Sequence, residues 1–282
     1  MLMLRKFALL LAAVSFCALA AFMVACGGSS GHSTTQCTGT YDVVGDWNLT
    51  LNGAAGEGGI IDTTGLALFF DSFGDVVTFP SLTGACSFSG TATLYETEVG
   101  GGASETASIQ GNVSSTTSIS GTATTASGSS PFSIAPFSPL SGSVGAISAS
   151  MLASIEDDPD ADIWEITVTA TGTGAGMTFS GPNTSDTCTI SGTFTQEGTA
   201  SANLNVFSTS ISFSGASCAY TGTTTGLGFE SSSDDFGFSE ASGTYLYSIA
   251  SNAAVVLEIY PTGEAARQLR NRAHRATHPF SF

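Results

Sequence analysis

Apolar and polar residues alternate along much of this chain with the period of two that an extended strand imposes. Asp46-Trp47-Asn48-Leu49-Thr50-Leu51 puts Trp47, Leu49 and Leu51 on one face, and Asn52-Gly53 follows at once as a hairpin turn. Trp164, Ile166, Val168 and Ala170 form another apolar face, opposed by Glu165, Thr167 and Thr169. Residues 245–250 and 253–260 predict a C-terminal hairpin around Ser251-Asn252. One stretch carries two periods. Val144, Ile147, Met151, Leu152 and Ile155 fit a helix, whereas Ile147, Ala149, Met151, Ala153 and Ile155 alternate with serines. The strand reading is taken, because no other segment has a helical period.

A short unit recurs. Cys86-Ser87-Phe88-Ser89-Gly90-Thr91, Cys188-Thr189-Ile190-Ser191-Gly192-Thr193 and Cys218-Ala219-Tyr220-Thr221-Gly222-Thr223 share one pattern, and Thr117-Ser118-Ile119-Ser120-Gly121-Thr122 repeats it with threonine for cysteine. The members of the first pair are 31 residues apart and those of the second 30. As strands, these units turn the cysteine, the apolar residue and the glycine inward and Ser/Thr outward. The spacing predicts two related halves; chance recurrence in a Ser/Thr/Gly-rich chain is the alternative. The expected fold is all-β, an antiparallel sandwich or barrel of a dozen or more short strands over residues 37–262. Gly45-Asp46-Trp47 resembles the Gly-x-Trp signature on the first strand of lipocalin-like and avidin-like barrels. The arginine that lipocalins pack over that tryptophan has no counterpart in residues 7–266.

Charge changes the picture sharply. All six basic residues lie near the ends: Arg5 and Lys6, then Arg267, Arg270, Arg272 and Arg275. All 23 acidic residues lie between them, and the formal net charge is −17. A body with that field repels nucleic acid and anionic headgroups, so polyanion binding is excluded as a function.

The first 25 residues read as an export signal: Arg5 and Lys6, then an apolar run from Phe7 to Ala25. An uncleaved membrane span is the other reading of such a run. Met23-Val24-Ala25-Cys26 resembles the lipobox of bacterial lipoproteins. That resemblance implies cleavage before Cys26, diacylglycerol on its sulfur, an acyl chain such as palmitate on the new amine, and membrane attachment through lipid. Each buried CH₂ contributes roughly 0.8 kcal/mol, so several chains hold where one dissociates. Gly27 stands where an aspartate would signal inner-membrane retention, which points to the outer membrane or cell surface. Residues 27–36, Gly-Gly-Ser-Ser-Gly-His-Ser-Thr-Thr-Gln, form a flexible tether. The whole resembles Ser/Thr/Gly-rich β-strand lipoproteins secreted by environmental bacteria.

With Cys17 in the signal and Cys26 acylated, Cys37, Cys86, Cys188 and Cys218 remain. An even number in an exported protein implies disulfides, and equivalent places in neighbouring units favour Cys188 with Cys218, leaving Cys37 with Cys86. A zinc site is the rival, without a Cys-x-x-Cys pair or a nearby histidine to support it.

The chemistry open to the body is narrow. Its histidines are His32 in the tether and His274 and His278 in the tail, so no Ser–His or Cys–His pair is available within it. Without lysine or arginine there, Schiff-base chemistry and phosphate clamps are excluded as well. Hydrolysis of glycosides by paired carboxylates survives. Asp158, Asp160 and Asp162 have the spacing of a calcium loop, but Ile163 stands where such a loop wants glycine and Thr169 where it wants glutamate. A solvated acidic turn is the simpler reading there and at Asp234-Asp235, and no cofactor is expected. Residues 263–282 form a basic tail that reads as a disordered terminus, a short helix, or a segment docking on the acidic body or on anionic lipid. Its final Phe280-Ser281-Phe282 resembles the aromatic C-terminus of outer-membrane barrels. The expected function is a lipid-anchored extracytoplasmic β protein with a structural or ligand-binding role, a glycan or another surface ligand included; the alternative is a cell-surface glycoside hydrolase.

Overall fold

A computed structural model describes residues 40–282 apart from 57, 72–73, 83, 97–103, 137–144, 156–162, 173–174, 198–204, 219, 232–243, 253–254 and 263–279. Every described element is a strand. The first half contains β1 (Gly45–Leu51), β2 (Ala54–Ala55), β3 (Gly58–Ile61), β4 (Ala67–Phe70) and β5 (Val76–Phe79). It continues with β6 (Ser87–Tyr95), β7 (Ser104–Ser115), β8 (Ser118–Thr124) and β9 (Ser129–Pro136). Each strand pairs antiparallel with its neighbour, and β9 returns to β1 with Trp47 opposite Pro136 and Leu51 opposite Phe132. That pairing closes the sheet into barrel 1.

The second half contains β10 (Ala149–Ile155), β11 (Ile163–Ala170), β12 (Met177–Pro182) and β13 (Thr189–Gln196). β14 (Phe207–Ser214), β15 (Gly222–Ser231), β16 (Tyr245–Ala250) and β17 (Val256–Pro261) follow, and β17 pairs with β10 to close barrel 2. The fold is therefore two closed antiparallel barrels, and the sandwich alternative is set aside by the two closing pairings. The ambiguous stretch is a strand, with Met151, Ala153 and Ile155 buried in barrel 2.

Local sequence explains these elements. Asn52 and Gly53 both have positive φ, 51° and 85°, the twist that a two-residue hairpin loop requires. β2 and β3 together form the partner of β1, interrupted by a bulge at Gly56. Thr50 pairs with Ala55 and Asp46 with Ile60, so the partner strand holds one extra residue between the two pairs.

Two glycines of the recurring unit, Gly121 and Gly192, have a packing reason. Phe132 lies opposite Gly121, and Phe179 lies opposite Gly192. A Cβ on either glycine would fall 2.5 Å from the ring of its partner. The phenylalanine thus folds over the bare backbone and covers it, a known way of protecting glycine in a sheet.

The two barrels share register as well as topology. Gly90 pairs with Ile109 as Gly192 pairs with Ile211. Two residues past each isoleucine, Gly111 pairs with Gly121 and Phe213 with Gly222. β6-β7-β8 therefore matches β13-β14-β15. The match shifts the barrels by one strand, so barrel 1 has its closing strand β1 first in the chain and barrel 2 has its closing strand β17 last. The third unit departs from expectation: Cys218 to Thr221 precede β15 rather than belonging to it, and the chain bends at Gly222 (φ 92°).

Both interiors are filled by side chains. Trp47, Leu49, Leu51, Phe69, Phe79 and Phe132 pack at the centre of barrel 1, and Trp164, Met177, Phe179, Phe194, Phe207 and Phe213 at that of barrel 2. Thr209 and Ser248, buried in barrel 2, satisfy each other at 2.7 Å. One end of barrel 1 is closed by the segment before β1, where Tyr41 N–H donates to Gly84 O and the Trp47 indole to Val43 O, both at 2.7 Å. Burial of each large apolar side chain contributes about 1.5–3 kcal/mol.

Candidate functional site

Among the described residues, the junction between the barrels and an open groove on barrel 1 combine polar chemistry with defined geometry.

The junction exists because some strands are apolar on both faces. β3, β4, β5, β16 and β17 are buried almost throughout. Ile61, Phe69 and Val77 fill barrel 1, while their neighbours Ile60, Leu68, Phe70 and Val76 turn outward against Leu227, Phe229, Tyr245, Tyr247, Ile249 and Val256 of barrel 2. Phe70, Tyr247 and Phe229 stack in series, with ring centroids 6.0 and 5.0 Å apart.

Polar residues are set into this apolar seam. Tyr247 Oη donates to the fully buried Glu258 at 3.0 Å. At the exposed edge, Thr63 donates through N–H and Oγ1 to Glu197 at 3.2 and 3.0 Å. The most closely knit group centres on Asn205. Its Oδ1 accepts from Glu230 N–H, and its Nδ2 donates to Glu230 O, each at 2.7 Å, so the side chain mimics a strand partner for β15. Nδ2 also donates to Asp46 Oδ2 at 2.7 Å, tying β1 of barrel 1 to β15 of barrel 2.

Burial raises the Asp46 carboxyl from 3.8 to about 7, against the lowering effect of the Asn205 hydrogen bond. Burial likewise raises Glu230 from 4.5 to about 7, opposed by the Gly145 N–H that donates to Oε2 at 3.2 Å. Asp46 Oδ1 and Glu230 Oε1 are buried without a hydrogen bond. Two acids held near neutrality are suited to proton exchange, but these inner oxygens are sealed from solvent.

The groove is the opposite case. It is open, encloses about 530 Å³, and crosses β6, β7 and β8. Ser87, Ser89, Gln110, Asn112 and Thr122 line it with hydroxyls and amides, with Phe88, Gly111 and Gly121 beneath. Its lining holds neither a carboxylate nor a histidine. It can donate to and accept from a neutral polar ligand, and offers no group for acid–base or nucleophilic work.

The residues singled out in the sequence fare differently. Cys188 and Cys218 form a disulfide that ties the β14–β15 loop to the start of β13, reinforced by Thr187 N–H donating to Ser217 Oγ at 3.0 Å. Cys86 is also disulfide-bonded, and Thr40 forms a bridge with Ala85 beside it. Cys26, Cys37, the acidic run with Asp158, Asp160 and Asp162, Asp234-Asp235 and the three histidines lie outside the described residues. Among the described residues no group of three or more His, Cys, Asp or Glu is placed to hold a metal, and no helix is long and apolar enough to cross a membrane.

Sequence reasoning passed over Asp46, Asn205, Glu230 and Glu258. Two of them carried a readable signal. Glu258 interrupts Val-Leu-Glu-Ile-Tyr, and Glu230 follows Leu-Gly-Phe. An acid inside a run that is apolar on both faces marks a buried carboxyl. No protein-family model, curated protein or solved structure matches this chain.

Proposed function

We propose that this chain is a lipid-anchored, extracytoplasmic module that presents two closed barrels at the cell surface and binds neutral polar ligands such as glycans, without catalysis. The lipobox ending at Cys26 supports the anchor, and residues 27–36 supply the tether. The observation that carries the binding role is the open groove, lined by Ser87, Ser89, Gln110, Asn112 and Thr122 and free of carboxylates. The outer face of β7 continues that chemistry with Ser104, Thr106 and Ser108 exposed. A barrel embedded in lipid would present an apolar band there instead. The filled interiors argue against a lipocalin-like cup.

Glycoside hydrolysis is the second reading: burial raises Asp46 and Glu230 to about 7, the range a general acid needs, although Asp46 Oδ1 and Glu230 Oε1 are sealed from solvent. A glycan array read in parallel with a hydrolysis assay separates the two. Binding without turnover, lost in Gln110→Ala/Asn112→Ala, is expected. Turnover abolished by Glu230→Gln would overturn the module reading in favour of the enzyme.

A further inference from the structure

Phe280-Ser281-Phe282 comes after barrel 2 in the chain. It packs on barrel 1. Phe280 is 2% exposed and belongs to the barrel 1 core, and Phe282 packs against the same cluster.

Three features shape its seat. The Phe280 N–H donates to Asp71 Oδ2 at 2.6 Å, and the other oxygen of that buried carboxylate accepts from Asp75 N–H at 3.1 Å. The bulge glycine Gly56 leaves space for the ring: a Cβ there would lie 2.7 Å from Phe280 Cζ and 2.9 Å from Phe70 O. Asn52, in the β1–β2 turn, points its amide at Ser281 Oγ at 3.5 Å. Turn, bulge and carboxylate lie at the end of barrel 1 where β1 and β4 finish. The seat thus reads an aromatic side chain and a main-chain N–H together, which is how a peptide is recognised.

We propose that this end of barrel 1 is a peptide-binding site for an aromatic segment, filled here by the chain's own tail. Residues 280–282 act as a ligand carried by the same chain, exchangeable with a free peptide of the same sequence. The sequence supplies an unusual test. Trypsin has Arg267, Arg270, Arg272 and Arg275 to cut in the tail, and no lysine or arginine elsewhere in residues 7–282. Digestion therefore severs the segment after Arg275 from the barrels without cutting them, and after the severed peptide is washed out the seat is open; a chain ending at Arg275 serves the same purpose.

Fluorescence anisotropy then follows a labelled synthetic peptide, Ala-Thr-His-Pro-Phe-Ser-Phe. Saturable binding to the trimmed protein is expected, at least tenfold weaker to the intact protein and at least tenfold weaker for a peptide carrying Phe280→Ala. Equal binding of the two peptides, or no saturable binding to a trimmed protein that keeps its far-UV spectrum, overturns the proposal. Should trimming melt the fold, recovery with the native peptide alone supports the site, and recovery with both or neither overturns it.

Discussion

Asn205 of barrel 2 donates an amide proton to Asp46 of barrel 1 across 2.7 Å, while the rest of its amide is taken up by the main chain of Glu230. Its two amide protons and its oxygen all have partners, so the side chain acts as a rivet between the barrels. Asn205→Ala is expected to leave the Glu230 N–H and C=O and the Asp46 carboxyl without their partner. A fully buried group left unsatisfied costs about 1–3 kcal/mol, and because these three bonds are only part-buried a combined loss of about 2–4 kcal/mol is expected in urea denaturation. A change under 0.5 kcal/mol would show that the rivet carries no weight.

The same group predicts an unusual response to pH. Asp46 and Glu230 both have folded pKa values of about 7, above their ordinary 3.8 and 4.5. Between about pH 4 and pH 7 the native state therefore holds more protons than the unfolded chain, and stability falls as pH rises. Above that window the effect is complete. Asp46→Asn keeps an acceptor for Asn205 and removes one titration, so its melting temperature is expected to vary less between pH 4.5 and 7.5 than that of the wild type. An unchanged slope would contradict the assignment.

Glycines of the recurring unit separate cleanly. A Cβ on Gly121 meets the Gln110 carbonyl oxygen at 2.3 Å and the Phe132 ring at 2.5 Å, whereas one on Gly90 meets nothing closer than 3.8 Å. Gly121→Ala is expected to cost about 1–3 kcal/mol, the range for overpacking. Gly90→Ala is expected to be neutral or to stabilise by up to about 1 kcal/mol, because glycine weakens a strand interior. Thermal denaturation of the two variants side by side checks this, and equal losses would contradict it.

The disulfide between Cys188 and Cys218 closes a loop with a sequence separation of 30. Constraint of the unfolded chain over a loop of that length contributes about 3–4 kcal/mol. Cys188→Ser/Cys218→Ser is expected to lower stability by up to that amount, measured by denaturation under oxidising conditions. A loss under 1 kcal/mol would indicate that the Thr187–Ser217 hydrogen bonds already hold the loop.

The strands were legible wherever one face meets a core and the other meets water. Trp47, Leu49 and Leu51 alternate with Asp46, Asn48 and Thr50, and the fold follows that alternation. The junction was not legible, because β4 and β16 bury both faces and an unbroken apolar run gives no direction. Closure was hidden for a different reason: whether β9 pairs with β1 is settled by a contact across most of the half, which no local pattern carries. The pairing of Cys188 with Cys218 was readable because each cysteine opens a copy of the recurring unit. Asn205 was unreadable, since its role rests on the main chain of a residue 25 positions away. Phe280 was read as part of a basic terminus, and only packing shows that a carboxylate and a bulge await it.

The anchor at Cys26 is the claim on which the proposed function turns. Metabolic labelling with an alkynyl fatty acid, in cells expressing wild type or Cys26→Ser, tests it most directly. The proposal predicts label on the wild type in the membrane fraction and none on Cys26→Ser. Equal labelling of the two, or an unlabelled wild type, would contradict it.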